Sequence, residues 1–151
     1  MLSTTDISHK LKGLANFAGV FPVDNLPLAA PQFQKINFVL NTDSSNLPGT
    51  HWIAVWYNGD NTPIEIFDSY ALTPPAAVQL WCSRNASRRW ISSKFCVQHP
   101  TATTCGIYCC QFLTRRPLFS CMDDCVNSLR VRINKASWLL YFVNENVVDI
   151  W

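Results

Sequence analysis

No apolar run in this 151-residue chain is long enough for a membrane-spanning helix, which sets bilayer insertion aside. Charge is also scarce: Asp, Glu, Lys and Arg make up 15% of the residues and the formal net charge is +2, too little for a strong polyanion signal. The opening segment, MLSTTDISHKLKG, lacks the apolar core of a signal peptide, so a secreted protein is not expected. No Cys-x2-Cys pair occurs, and the looser Cys121/Cys125 pair has no histidine near it in sequence; no metal site is expected. Internal repeats and low-complexity segments are missing too. Cysteine itself is plentiful. Its count of seven is odd, which fits free thiols in a reducing compartment better than a disulfide framework. With 48% hydrophobic residues, the chain is expected to form one globular domain, residues 1–151, around a single core.

The most informative stretch is Val97 to Phe112, VQHPTATTCGIYCCQF. Ile91 to Val97 reads as a strand, which Pro100 and a Thr-rich run interrupt. Helical spacing resumes from Cys105 through Ile107, Cys110 and Phe112. Thr104 is expected as the N-cap, which puts Cys105 in the first turn, where the helix dipole favours a thiolate. Gln98, seven residues earlier, carries an amide able to donate hydrogen bonds to an oxyanion. The same cysteine could instead be a small buried hydrophobe, the role expected of Cys109 and Cys110. A catalytic cysteine needs histidine and acid partners elsewhere in the chain.

Those partners stand upstream. His51 precedes an apolar strand, Trp52 to Tyr57, and Asp68 follows another, Ile64 to Phe67. The Asn58-Gly59-Asp60-Asn61 run between them is a hairpin signal. Pairing through that turn brings His51 and Asp68 to the same edge of a sheet. The Asn41 to Gly49 loop, rich in turn residues, delivers His51 to the strand mouth.

The rest of the chain frames this hairpin. Ser3 and Asp6 have capping-box spacing for a short helix to Lys12, with Ile7, Leu11 and Leu14 on one face. Gly19 to Pro27 reads as a turning connector that could also wall a substrate cleft. Ile36 to Asn41 reads as a strand and Ala76 to Asn85 as a helix. Arg84, Arg88, Arg89 and Lys94 form a local basic patch, read as a solvated surface. Arg115-Arg116-Pro117 breaks the Cys105 helix. Ser120 with Asp123 should start another, and Ala136 to Val148 should form an aromatic-rich helix with Trp138, Leu139, Tyr141 and Phe142 in the core.

Taken together, GVFPVDNLP, NTDSSNLPGTHW, EIFDSY and QHPTATTCGIYCCQF resemble segments of adenovirus-type cysteine endopeptidases, as found in Maverick/Polinton-type and related large DNA virus elements. These belong to a wider group that includes the ubiquitin-like-protein-processing proteases. The resemblance covers roughly Gly19 to Leu113. It implies an α+β fold with a mixed central sheet flanked by helices, and a triad of Cys105 as nucleophile, His51 as base and Asp68 as orienting acid. It further implies an oxyanion hole from the Gln98 amide and the Cys105 backbone N–H. Gly106 would let substrate backbone approach closely, and Trp52 would cover the triad or pack in the core. Related enzymes cut at Gly-Gly or Gly-Ala sites reached through a narrow channel. The implied function is maturation of capsid and core precursor proteins by a monomer in the virion and host nucleus, or in the cytoplasm. No cofactor is expected, although DNA and a disulfide-linked peptide assist adenovirus-type enzymes. Two departures bear on such activators and on the branch. Ser87 stands where the peptide-linking cysteine would be, and Thr104 stands where SUMO-type proteases carry Asp. Rival readings are a deubiquitinase or deSUMOylase acting on host conjugates, an acyltransferase with the same His-acid-Cys order, and a catalytically silent scaffold protein.

Overall fold

The computed structural model describes residues 1–27, 35–59, 62–85 and 89–130. Five strands form one sheet in the order β1-β2-β3-β4-β5: β1 (Phe17–Pro22), β2 (Ile36–Asn41), β3 (Trp52–Tyr57), β4 (Ile64–Phe67) and β5 (Trp90–Ser92). β2, β3 and β4 are antiparallel, whereas the outer strands β1 and β5 run parallel to their neighbours. The helices are α1 (Thr4–Lys10), α2 (Ala76–Arg84), α3 (Cys105–Arg115) and α4 (Met122–Leu129), with a 3-10 turn at Arg116–Leu118. The α+β class and mixed sheet are as expected from sequence.

The central strands are apolar on both faces because each face is covered. Alternation divides their side chains between two clusters. Val39, Trp52, Ala54 and Phe67 pack with Ile7 of α1, Leu11 at its C-terminal cap, the buried face of α3, and α4. Phe38, Leu40, Ile53, Val55, Ile64 and Ile66 pack against Val78, Trp81 and Cys82 of α2. Phe67 stacks on Phe112 of α3 with centroids 4.7 Å apart, and Trp81 meets Phe38 edge-on at 5.1 Å. Burying side chains of this size contributes roughly 1.5–3 kcal/mol each, and it fixes α3 across the sheet. A buried ion pair pins the far end of α3: the Arg116 guanidinium forks onto both oxygens of Glu65 on β4, and its Nη1 donates to the Phe119 carbonyl at 2.6 Å.

Several expectations need correction. The Gly19–Pro22 segment is not a bare connector but part of edge strand β1, where proline is tolerated because no central ladder needs its missing N–H. The strand expected over Ile91 to Val97 ends at Ser92. Ser93 still donates its N–H to the Ile66 carbonyl at 3.0 Å, while its Oγ donates to the Asp68 carbonyl at 2.8 Å and accepts the Asp68 N–H at 2.9 Å. α4 starts one residue later than expected, with Cys121 rather than Ser120 as its cap; Sγ accepts from Asp124 N–H at 3.5 Å. The capping box on α1 forms as read, Ser3 and Asp6 bonding reciprocally. Asp60, Asn61, Ser87, Arg88 and the helix expected over Ala136 to Val148 lie outside the described residues.

Candidate active site

The site lies at one end of the β3–β4 hairpin, where α3 begins. His51 immediately precedes β3 and Asp68 immediately follows β4. The register Ala54↔Phe67, Val55↔Ile66 sets these strand ends side by side. His51 Nε2 meets Asp68 Oδ1 at 2.9 Å, a charge-assisted contact between two largely buried side chains. The Asp68 oxygen is itself anchored by the Tyr70 N–H at 2.7 Å. Delivery of His51 depends on Gly49, whose φ of +84° belongs to glycine's left-handed region; a Cβ there would lie 2.0 Å from Asn41 Nδ2.

Cys105 is the first residue of α3 and is 2% exposed. Thr104 occupies the cap position, but its side chain makes no capping bond. The helix N-terminus therefore keeps free N–H groups beside the sulfur. With Nε2 held by Asp68, His51 Nδ1 is the ring atom left for the thiol. It is buried and has no conventional hydrogen-bond partner among the described residues, so the resting contact is looser than a formed hydrogen bond. Resting catalytic contacts are often long and tighten when substrate arrives.

The two groups nevertheless shift one another. Burial alone would depress the imidazole, yet the Asp68 hydrogen bond, the Cys105 contact and both negative charges together raise His51 to about 9. Burial alone would raise the Cys105 thiol. Interaction with His51, the backbone at Trp52 and Gly106, and the imidazolium charge bring it below its ordinary value. Both shifts favour a thiolate–imidazolium pair near neutral pH.

The other described thiols lack this treatment. Burial pushes Cys82 up to about 12, Cys110 and Cys125 up to about 11, and Cys109, one turn along α3 from the nucleophile position, well above the ordinary range. Cys96 and Cys121 are exposed, and no disulfide forms among the described cysteines. Among the buried thiols, Cys105 alone is activated.

Gln98 is buried beside the site and fully engaged. Its Oε1 accepts from Ser69 Oγ at 2.7 Å, and its Nε2 donates to Tyr70 Oη at 2.8 Å and to the Ala102 carbonyl at 2.6 Å. Gly106 faces α1 rather than open cleft. A Cβ on it would sit 3.2 Å from atoms of Leu2, Ile7 and Trp52, so it is a close-packing position. Trp52 is 4% exposed and its indole donates to the Leu2 carbonyl at 3.0 Å. Its edge contributes to a cleft of about 490 Å³ together with Val20, Phe21, Pro22, Leu47 and Pro48. Sequence reasoning passed over Ser69, Tyr70 and Ser93, which brace Asp68 and Gln98. Their signal was adjacency, since EIFDSY puts Ser69 and Tyr70 directly after the acid.

Comparison with known proteins bears on the fold. No family model matches the chain. It is 28% identical over 113 residues to a cysteine protease of African swine fever virus (Tick/Malawi isolate), covering 74% of this chain and 38% of the relative. It is 27% identical over the same length, with the same coverage, to a protein of the Warthog/Namibia isolate named a SUMO-1 cysteine protease. The crystal structure of the African swine fever virus pS273R protease superposes with a TM-score of 0.59 at 17% identity, over 91% of this chain and 64% of that one. A selenomethionine form of that protease gives the same TM-score at 19% identity. The fold is that of a viral cysteine protease. The chain spans little more than a third of the length of the curated relatives it matches.

Proposed function

We propose that the chain is a viral cysteine endopeptidase domain with Cys105 as nucleophile. The observation that carries this reading is the lowered Cys105 thiol at a helix N-terminus, beside a His51 that Asp68 holds at 2.9 Å. The thiolate attacks the scissile carbonyl and forms a tetrahedral oxyanion. Because His51 already carries the proton in the ion pair, its main task is to donate that proton to the leaving amine, which yields the acyl-enzyme. It then takes a proton from water, whose oxygen attacks the thioester and releases Cys105. Asp68 keeps the imidazole oriented and stabilises its charged form. Oxyanion stabilisation comes from the Cys105 N–H and one Gln98 N–H, each donor of this kind contributing about 3–4 kcal/mol in well-studied hydrolases.

The finer reading, supported by motif order and by the viral relatives, is cleavage at Gly-containing sites of capsid or core precursors in the virion or host nucleus. The cleft beside Trp52 is walled by β1 and the loop leading to His51, but none of His51, Asp68 and Cys105 lines it. Neither DNA nor an activating peptide is required in this reading: a net charge of +2 leaves DNA a weak partner, and Ser87 stands where the peptide-linking cysteine would be. Action on ubiquitin-like conjugates is the second reading, favoured by the SUMO-1 cysteine protease name that several of the viral relatives carry.

A Gly-Gly vinyl sulfone should modify Cys105 alone, as read by mass spectrometry of the labelled peptide. Cys105→Ala should abolish labelling and cleavage of Gly-Gly peptides while leaving the fold intact. Cleavage of viral precursors over ubiquitin-like fusions separates the two readings, and duplex DNA should leave the rate unchanged. Activity that survives Cys105→Ala would overturn the assignment.

A further inference from the structure

Continuing the β3–β4 register outward from Ala54↔Phe67 brings Tyr70 opposite His51. The two rings lie 5.1 Å apart, tilted by 34°. Tyr70 also binds Asp68 through its backbone N–H, so it touches both base and acid. Its hydroxyl reaches the third element, Gln98.

The donor count around that hydroxyl is closed. A glutamine amide has two N–H bonds, and here both are taken, one by Tyr70 Oη and one by the Ala102 carbonyl. Tyr70 has a single O–H, which it donates to the same Ala102 carbonyl at 2.9 Å while accepting from Gln98. Ser69 holds the amide oxygen. In this resting arrangement Gln98 has no hydrogen left for an oxyanion, and donating one means abandoning an acceptor. If it abandons Ala102, that carbonyl keeps the tyrosine hydroxyl and stays paired. The amide remains tethered by Ser69 and Tyr70 while its second N–H turns.

We propose that Tyr70 is a positioning residue for the oxyanion donor: its hydroxyl holds the Gln98 amide and keeps the Ala102 carbonyl paired when Gln98 turns one N–H to the reacting oxygen. The inference rests on the protease reading above and goes beyond it. Without the hydroxyl, the turn leaves a carbonyl unpaired, a cost that falls on the transition state rather than on substrate binding.

The test is a double-mutant cycle of Tyr70→Phe and Gln98→Ala in the full chain, using a Gly-Gly fluorogenic peptide. Tyr70→Phe should lower kcat roughly tenfold with KM within about twofold, and in the Gln98→Ala background should change kcat by less than about twofold. Alkylation of Cys105 by iodoacetamide, which needs the thiolate but no oxyanion donor, should keep its rate within about twofold in Tyr70→Phe, because the phenyl ring and the backbone N–H remain. That rate also shows that the variant is folded. Wild-type kcat in Tyr70→Phe with a lowered kcat in Gln98→Ala would overturn the tyrosine role and leave the oxyanion reading standing. Independent, multiplicative losses would also overturn it, since Tyr70 would then act through His51. An undiminished kcat in Gln98→Ala would remove Gln98 from the oxyanion hole and the inference with it.

Discussion

Replacing Asp68 by Asn tests how much of the thiolate–imidazolium pair the acid sustains. The substitution is close to isosteric. Oδ1 can still accept from His51 Nε2 and from the Tyr70 N–H, so the hairpin end keeps its two hydrogen bonds and loses only the charge. His51 stands at about 9 against an ordinary 6.5, a difference equivalent to roughly 3 kcal/mol in favour of the charged imidazole. That net gain is reached against burial, which works in the opposite direction and is the largest single influence. Asp68 supplies the largest favourable part and Cys105 the next, so removing the carboxylate charge should lower His51 by about one to two units. The sign is fixed by protonation state. Activity in the ion-pair mechanism is lost on the alkaline side as the imidazolium deprotonates near 9, and on the acid side as Cys105 gains its proton. In Asp68→Asn the alkaline limb of kcat/KM should move down by about one to two pH units, so that kcat/KM about one unit above the wild-type limb should fall by roughly ten- to a hundredfold while the fall from this shift at neutral pH stays within about twofold. Iodoacetamide alkylation against pH, with and without the substitution, reads the pair directly. An alkaline limb unmoved in Asp68→Asn would show that Asp68 does not sustain the His51 charge, and the ion-pair account would fail.

Two further predictions concern the scaffold that presents these groups. Gly49→Ala should cost about 1–3 kcal/mol in chemical denaturation, since it combines a left-handed φ with a contact against Asn41, itself held by the Asp43 N–H. The folded fraction should also lose activity, because the same loop delivers His51; full stability and activity would refute the strain argument. Arg116→Met should cost about 3–5 kcal/mol by leaving Glu65 buried without its partner, whereas pairing it with Glu65→Leu should recover most of the loss. A double variant no more stable than the single would show that the cost lies in the Phe119 carbonyl contact instead.

What could be read from sequence follows from how local each signal is. His51 and Asp68 were legible because two apolar strands around a turn put their outer ends together whatever covers the sheet. Cys105 was legible because a helix start has a local chemistry, although the capping bond expected of Thr104 does not form. β1 was misread because Gly19 and Pro22 are loop punctuation in a sequence, whereas an edge strand tolerates them. β5 was read too long because nothing local shows that the Ser93 hydroxyl would bond the Asp68 backbone where the strand ends. The engagement of Gln98 depends on Tyr70 and Ala102, which only folding brings to it. The same holds for Glu65 and Arg116, whose separation of 51 residues gave no hint of an ion pair.

The uneven treatment of the thiols gives the protein a built-in means of being counted. Cys82, Cys109, Cys110 and Cys125 are buried in environments that keep them protonated, so a mild alkylating reagent should pass them by in the folded state. The exposed Cys96 and Cys121 are accessible but do not sit beside the imidazolium that primes Cys105. Stoichiometry of fast labelling, with the Cys105 peptide identified by mass, should therefore report the fraction of molecules with an assembled site, independently of any substrate. Unfolding would erase the distinction, because every thiol then approaches the same ordinary value. The ratio of fast to total thiols thus becomes a direct gauge of intact catalyst in a preparation.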